Sequence, residues 1–237
     1  MKSAIVTGAS AGIGLAITRT LCQDGFRVTM AARREGRLTT AAEGLRGEGF
    51  DVHAVAIDAS ADGAADQLVG EHIRHSGGVD VVVANAGRGT NGTVADASAA
   101  DIAKMLAVNV AAPFALAKAA MPALRASAGW FVITSSMSGV WPTTGSAGYS
   151  ASKAAAVSLA RSIASEEAEH GVRSCAICPA FVDTDMTSWL EGSIPPDEML
   201  EANDMAESVR FLLRLSPSAS VTELVLRRVG APDPHSP

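Results

Sequence analysis

Short apolar runs recur along the chain and alternate with longer segments whose apolar residues are spaced as in helices. The runs typical of buried strands lie at residues 4–6, 28–31, 52–57, 79–84, 130–133, 174–178 and 224–226. The segments between them, such as 13–23 and 61–75, are long enough for crossover helices. Because most runs are apolar at consecutive positions, the pattern predicts a mainly parallel sheet with helices on both faces, a doubly wound α/β domain. Ligands of such domains bind at the carboxyl ends of the strands.

The pattern predicts a single domain over residues 1–230. Pro195-Pro196 and the acidic pair Asp197-Glu198 interrupt it, and we interpret residues 185–203 as a lid segment beside the ligand crevice. A last helix over 205–215 and a last strand then complete the sheet. Residues 231–237 contain three prolines and are expected to form a flexible tail.

Composition narrows the class of protein. The 237 residues are 48% hydrophobic, which suits a folded core and excludes a disordered chain. A formal net charge of -6 offers no basic surface for nucleic acid. The first residues contain no signal-peptide core, and the apolar stretch 107–117 contains Asn109 and Pro113, so we expect no membrane span and a cytoplasmic protein.

Three cysteines include a CxxC string, Cys175 to Cys178, inside a predicted strand. Their odd separation places the two thiols on opposite faces of the sheet, so we expect them to pack in the core rather than form a redox pair. With no second cysteine pair nearby, the sequence predicts no metal site.

A glycine-rich turn follows the first strand and opens into an apolar helix. Its glycines are Gly8, Gly12 and Gly14, and the residues between them include Ser10 and Ile13. Glycines let the backbone approach a pyrophosphate, whose charge is stabilised at a helix N-terminus. The spacing is GxxxGxG rather than GxGxxG, and a merely structural turn is the alternative.

The ends of the next strands supply further candidates for binding a dinucleotide. Arg33 and Arg34 stand where an acidic residue would accept from the ribose 2′-hydroxyl, so they favour a 2′-phosphate and hence NADP. Glu35 keeps NAD as the alternative. Asp58 follows the third strand and suits either the adenine amino group or a helix cap. The small polar turn Asn85-Ala86-Gly87 follows the fourth.

A phenol and an ammonium stand four residues apart, on one face of a helix. They belong to Tyr149, the only tyrosine in the chain, and Lys153. A fixed cation stabilises phenolate, so we expect a lowered pKa for Tyr149 and a role in proton exchange with an alcohol or carbonyl oxygen. Ser136, just past the fifth predicted strand, is placed to hold that oxygen. Ser135 and Ser138 are neighbours of the same type.

Asn109 lies in an apolar helical stretch where asparagine is otherwise disfavoured. Pro113 has no N–H with which to bond the carbonyl of Asn109, so this carbonyl is free to bind water or bend the helix.

Together these motifs resemble the short-chain dehydrogenase/reductase superfamily in its compact one-domain form, over nearly the whole chain. The matching residues are 7–14, Asp58, 85–87, Asn109, Ser136, 149–153 and 179–184. The resemblance implies a seven-stranded Rossmann fold, hydride exchange between nicotinamide and a carbonyl or alcohol carbon, and the catalytic set Asn109, Ser136, Tyr149 and Lys153.

The same resemblance assigns further roles. It implies that Lys153 binds the nicotinamide ribose and lowers the pKa of Tyr149, that Asn109 holds a relay water, and that Pro179 and Thr184 contact the nicotinamide end. It also implies a homodimer or homotetramer, in which the helices over 107–124 and 150–168 pack against another subunit.

Two positions depart from the family pattern. Ala84 replaces the first asparagine of NNAG, and Ala180 replaces a glycine. Because alanine tolerates positive φ poorly, we expect a modest shift of the loop at residue 180.

Candidate substrate-lining residues are Met137, Trp141, Met186 and Trp189, which favour a partly apolar carbonyl compound. We therefore expect an NADP-dependent carbonyl reductase. A nucleotide-sensing regulator without turnover is the alternative, although such proteins typically lose the tyrosine or the lysine. An epimerase or dehydratase of the longer related type needs a C-terminal substrate domain, for which this chain has no room.

Overall fold

The computed structural model describes residues 1–90, 92–188 and 194–230. Its centre is one seven-stranded sheet in the order β3-β2-β1-β4-β5-β6-β7, and every neighbouring pair is parallel. The strands are β1 Ser3–Thr7, β2 Arg27–Ala32, β3 Val52–Ala56, β4 Val81–Ala84, β5 Trp130–Thr134, β6 Arg173–Pro179 and β7 Glu223–Leu226. The doubly wound α/β fold is confirmed. The strand order reverses beside β1, where β4 is its second neighbour, so the crevice opens at the ends of these two strands.

Seven α-helices surround the sheet in the described residues. They are α1 Gly12–Gln23, α2 Glu35–Gly47, α3 Ala64–Ser76, α4 Ala99–Leu106, α5 Ala112–Ser127, α6 Ala147–Glu166 and α7 Ala202–Leu213. A π-helical turn, Ala107–Ala111, joins α4 to α5. The helix expected from residue 61 begins at Ala64, because Gly63 takes the N-cap with a φ of 73°.

The sheet separates two apolar layers. One layer is formed with α1, α2 and α7, through residues such as Ile17, Leu38 and Met205. The other is formed with α3, α5 and α6. Cys175 belongs to the first layer and Cys178 to the second, as the strand period predicted. Burial raises the pKa of these thiols to about 12 and about 11, so both stay protonated at neutral pH.

The helical run Ala99–Ser127 includes the apolar stretch that was expected not to span a membrane. Asn109 and Pro113 do not end it, and the run is long and apolar enough to cross a membrane by length and composition. A core helix of a soluble protein meets the same criteria. Only 28% of its most apolar window is buried, and Leu106 and Phe114 are exposed large apolar side chains on this run.

The lid segment is described except at residues 189–193, so Trp189 lies outside the described residues, as do residues 231–237. Its far end is attached to the body of the protein. Leu200 donates its N–H to the carbonyl of Phe181 at 2.9 Å, and Arg228 pairs with Glu198 at 3.3 Å.

Candidate active site

The glycine-rich turn connects β1 to the first residue of α1. Gly8 and Gly12 have positive φ angles of 66° and 50°, which side chains other than glycine rarely adopt. Gly14 lies inside α1, where a Cβ would be 2.3 Å from the carbonyl oxygen of Gly8. The turn therefore ends at the N-terminus of α1, which no side chain caps, and free N–H groups at a helix N-terminus are suited to bind a phosphate group.

Three arginines lie at the end of β2 and in the first turn of α2. Arg33 and Arg34 are exposed, and Arg34 is the N-cap of the helix. Hydrogen bonds from Ser60 are the main cause that lowers the pKa of Asp58, and the charge of Arg33 lowers it further. The arginine and the carboxylate therefore lie on the same rim. Asp58 accepts from the N–H and hydroxyl of Ser60 and does not cap α3, which begins at Ala64.

A small apolar cleft lies between the strand ends and α5. The residues around it come from the ends of β1, β3 and β4, from α3 and from the π-helical turn, and include Thr7, Ile57, Ala59, Ala86, Val108 and Pro113. Small apolar side chains on several sides suit a flat aromatic base, with Asp58 beside Ala59 at the rim.

Asn85 uses its side chain to tie three strand ends together. Its Nδ2 donates to the carbonyl of Thr7 at 3.1 Å, and its Oδ1 accepts from the hydroxyl of Thr134 at 3.1 Å. The hydroxyl of Thr7 in turn accepts from the N–H groups of Asn85 and Ala86, each at 3.0 Å. The turn over residues 85–87 is thereby held against the glycine-rich turn.

Ser136 and Tyr149 meet at the ends of β5 and α6. Tyr149 is half-buried in the first turn of α6, and the side chain of Ser136 lies close enough to act on the pKa of its phenol. The Oγ of Ser136 also accepts from the N–H of Ser138 at 3.2 Å. Of the adjacent serines, Ser136 therefore faces the phenol, whereas Ser135 is buried and its Oγ donates to the carbonyl of Lys153 at 2.8 Å.

Lys153 reaches from α6 under the turn at Gly87. Its Nζ donates to the carbonyl of Thr134 at 2.9 Å and lies 5.6 Å from the centre of the Tyr149 ring. A Cβ at Gly87 would be 3.5 Å from this Nζ and 3.6 Å from the Oδ1 of Asn109. The four residues of the expected catalytic set are therefore brought together.

The side chain of Asn109 makes three hydrogen bonds within the protein. Its Oδ1 accepts from the N–H of Arg88 at 2.8 Å, and its Nδ2 donates to the carbonyl of Arg88 at 2.8 Å and to the Oγ of Ser152 at 3.0 Å. The residue lies in the π-helical turn four positions before Pro113. The backbone carbonyl of Asn109, which Pro113 cannot bond, is the group expected to bind a relay water.

The expected lowering of the Tyr149 pKa is wrong for this structure. Burial raises the pKa of the phenol, and the side chain of Ser136 opposes that effect without cancelling it. Burial also lowers the pKa of Lys153 from 10.5 to about 8. The ammonium is thus lost before the phenol ionises, so it does not stabilise a phenolate at equilibrium.

The segment after β6 crosses the amino ends of α1 and α2. A Cβ at Gly12 would lie 3.0 Å from the Cγ2 of Thr184, and Asp185 pairs with Arg37 at 2.6 Å. The N–H of Ala180 donates to Leu226 at 2.8 Å, and Ala180 has no positive φ, so the loop runs without the conformation that glycine allows.

Met137 and Trp141 are partly buried in and beside the 3₁₀ turn Met137–Gly139, and Met186 is 51% exposed at the start of the lid segment. These three therefore stay candidates for contact with an apolar substrate. In the described ranges, no group of three His, Cys, Asp or Glu side chains is placed to hold a metal ion.

Sequence reasoning missed the contacts that hold Asn109 and Lys153 in place. Ser152, Thr134 and Ser135 bond to Asn109 and Lys153, and Arg88 brackets Asn109 with its own peptide groups. Ser152 lies beside Asn109 only because α6 packs against the π-helical turn. The interaction of Arg37 with Asp185 had no local signal, since 148 positions separate them (185 − 37).

Comparison with known proteins identifies the family of this chain. The sequence model of the family described as short chain dehydrogenase matches residues 2–192. An uncharacterised oxidoreductase of Staphylococcus epidermidis is 32% identical over 229 residues, covering 96% of this chain and 97% of the relative. One of Staphylococcus aureus is 33% identical over 230 residues, covering 96% and 97%.

Solved structures share the whole fold. An alcohol dehydrogenase from the archaeon Thermococcus sibiricus, complexed with 5-hydroxy-NADP, matches with a TM-score of 0.89 and 34% identity over 98% of this chain and 99% of that one. A variant of actinorhodin polyketide ketoreductase with NADPH matches with a TM-score of 0.89 and 27% identity over 96% of each chain. The chain therefore belongs to the short-chain dehydrogenase/reductase family of oxidoreductases.

Proposed function

We propose that the protein is an NADP(H)-dependent oxidoreductase that reduces a carbonyl compound to a secondary alcohol or catalyses the reverse oxidation. The observation that carries this proposal is the meeting of Ser136, Tyr149 and Lys153 at the crevice, with the glycine-rich turn on the same sheet edge. The bound nicotinamide would supply or accept the hydride.

Within this proposal Tyr149 is the general acid of carbonyl reduction. Its raised pKa keeps the phenol protonated at neutral pH, so it is ready to give a proton to the substrate oxygen. The hydroxyl of Ser136 donates a hydrogen bond to the same oxygen and fixes its position. Lys153 binds the nicotinamide ribose, and a water at the Asn109 carbonyl would return a proton towards Lys153.

Arg33 supports NADP over NAD. It is exposed beside the cleft and is not held in an ion pair among the described residues, so its guanidinium is available to a 2′-phosphate. Arg34 adds a second cation at the N-terminus of α2. The two solved relatives above contain NADP-type nucleotides, which agrees with this preference.

The regulator without turnover is not favoured, because Tyr149, Ser136 and Lys153 are all present and in contact range. For the substrate we propose a partly apolar ketone, aldehyde or β-keto ester, since Met137, Trp141 and Met186 lie near the reactive end.

We also propose that a second copy of the chain packs on the exposed apolar side of the run Ala99–Ser127. Phe114 is 60% exposed and Leu106 is 39% exposed on this run, whereas exposed apolar patches on soluble proteins usually mark an interface. Light scattering should give a dimer or larger assembly for the wild type and a smaller species for Phe114→Glu.

The proposed function is tested by following NADPH oxidation, with NADH in parallel, over ketones, aldehydes and β-keto esters. Tyr149→Phe should lower kcat about 10²- to 10⁴-fold while NADPH still binds. Arg33→Ala should weaken NADPH about 10- to 100-fold and leave NADH unchanged. Arg74→Ala, an exposed arginine at the far end of α3, is the matched control. Failure to bind either nucleotide would overturn the assignment.

A further inference from the structure

Two consecutive residues at the end of β5 hold the two ends of Lys153. Thr134 accepts from the Nζ of Lys153 through its carbonyl at 2.9 Å. Ser135 donates from its Oγ to the carbonyl of Lys153 at 2.8 Å. Ser135 is itself fixed, because it is 2% exposed and its N–H donates to the carbonyl of Ile177 at 2.8 Å. The backbone and the ammonium of one lysine are thus tied to the same strand end.

The next loop also packs against the carbonyl group of Lys153. A Cβ at Gly139 would lie 2.6 Å from the carbonyl carbon of Lys153 and 2.7 Å from its oxygen. The loop backbone therefore rests directly on α6, and the helix cannot move towards it. The bond from Ser135 resists movement in the opposite direction.

This bond is not required to satisfy a buried acceptor. The carbonyl of Lys153 lies in the interior of α6, where the helix supplies an N–H partner. Replacing the Ser135 hydroxyl with hydrogen would leave no buried acceptor without a partner. The bond therefore positions Lys153 and is not needed to satisfy its carbonyl.

We infer that Ser135 is a positioning residue that holds the Lys153 ammonium beside Tyr149 and under Gly87. The inference rests on the proposed function, in which Lys153 binds the nicotinamide ribose. Without the hydroxyl, α6 gains freedom at Lys153, and the ammonium moves away from the Thr134 carbonyl towards water.

Tyr149 offers a direct readout, because it is the only tyrosine in the chain. Protein labelled with ¹³C at tyrosine Cζ gives one signal, and this signal senses the charge of Nζ at 5.6 Å from the ring centre. The titratable groups that face Nζ are Tyr149 and Cys178. Burial raises the pKa of both, so neither ionises near pH 8. An inflection near pH 8 therefore reports Lys153.

The wild type should show this inflection, and Lys153→Met should abolish it. Ser135→Ala should move it upward by about half a pH unit or more, because a better solvated ammonium has a higher pKa. Ser174→Ala is the matched control: Ser174 is fully buried and its Oγ donates to the carbonyl of Phe131 at 2.8 Å, away from the site. Its inflection should stay at the wild-type pH.

The inference fails if the wild type has no inflection, if Ser135→Ala titrates like the wild type, or if Ser174→Ala shifts equally. Ser135→Val, which fills the space without a donor or a titratable group, replaces Ser135→Ala if the latter does not fold, and the same shift is expected. The titration needs no turnover. If it behaves as expected while the wild type reduces no carbonyl, the positioning role stands and the proposed function fails.

Discussion

At the residue scale, the glycine-rich turn can form because Gly14 has no side chain. A methyl group there would lie 2.3 Å from the carbonyl oxygen of Gly8 and 2.7 Å from the Nδ2 of Asn85. The turn must open to relieve this overlap, so we expect Gly14→Ala to lower NADPH affinity at least about tenfold and to destabilise the fold by about 1–3 kcal/mol. Fluorescence titration with NADPH and urea unfolding measure the two effects.

Gly44 provides the matched control for this substitution. It too lies inside a helix, but a Cβ there meets no atom within 4 Å. Gly44→Ala should stabilise the protein by about 0.5–1 kcal/mol, because alanine loses less backbone entropy in a helix, and NADPH affinity should be unchanged. Equal effects of the two substitutions would contradict the role assigned to the turn.

The sequence predicts the role of a residue where that role depends on its near neighbours in the chain. Tyr149 and Lys153 were predicted, because their spacing on a helix is a local property. Ser136 was chosen over Ser135 for the place beside the phenol, whereas the bond from Ser135 to the lysine carbonyl was not predicted, since only packing shows it. The direction of the Tyr149 pKa was wrong for the same reason, because burial has no local signal.

At the element scale, a buried histidine joins α3 to the sheet. His72 is fully buried and its ring nitrogens bond to the hydroxyls of Thr29 at 2.7 Å and Ser3 at 3.2 Å. Burial, the largest cause, lowers its pKa from 6.5 to about 4. The unfolded chain therefore binds a proton in a range of pH where the folded protein does not, and stability must fall as pH decreases from about 6.5 towards 4.

We expect His72 to contribute up to about 3 kcal/mol of this loss. In urea unfolding at pH 7 and pH 5, the free energy of unfolding should depend less on pH for His72→Asn than for the wild type. The variant should also be less stable at pH 7, because the contact of the imidazole with Thr29 and Ser3 is changed. His170→Asn, an exposed position, should retain the wild-type slope. Parallel slopes for wild type and His72→Asn would refute the assignment.

Elements were predictable where their burial follows one simple period. All seven strands were found from continuous apolar runs, since a strand covered on both faces has no polar side. The helix α2 was predicted only as one of the crossover segments, without bounds, because only Leu38, Ala42 and Leu45 are buried along it and two internal glycines weaken its helical preference. The π-helical turn was anticipated only as a bend at Asn109, because the extra residue per turn depends on tertiary contacts.

At the scale of the whole molecule, the segment after β6 connects the two ends of the proposed nucleotide groove. Thr184 lies against Gly12 at the start of α1, and Asp185 pairs with Arg37 in the first turn of α2. These contacts cross the places where the pyrophosphate and the 2′-phosphate are proposed to bind. A nucleotide leaving the groove must therefore pass residues 184 and 185 or displace them.

The ion pair between Arg37 and Asp185 should accordingly slow the release of NADPH. Both side chains are exposed, at 39% and 71%, so the pair is worth up to about 1 kcal/mol and Asp185→Asn should speed release about two- to fivefold. Stopped-flow displacement measures the rate, and the difference from wild type should vanish at about 0.5 M salt, where exposed charges are screened. Glu48→Gln removes an exposed pair with Arg19 elsewhere on the surface and should leave the rate unchanged. An unaltered rate for Asp185→Asn at low salt would show that this segment does not restrain the nucleotide.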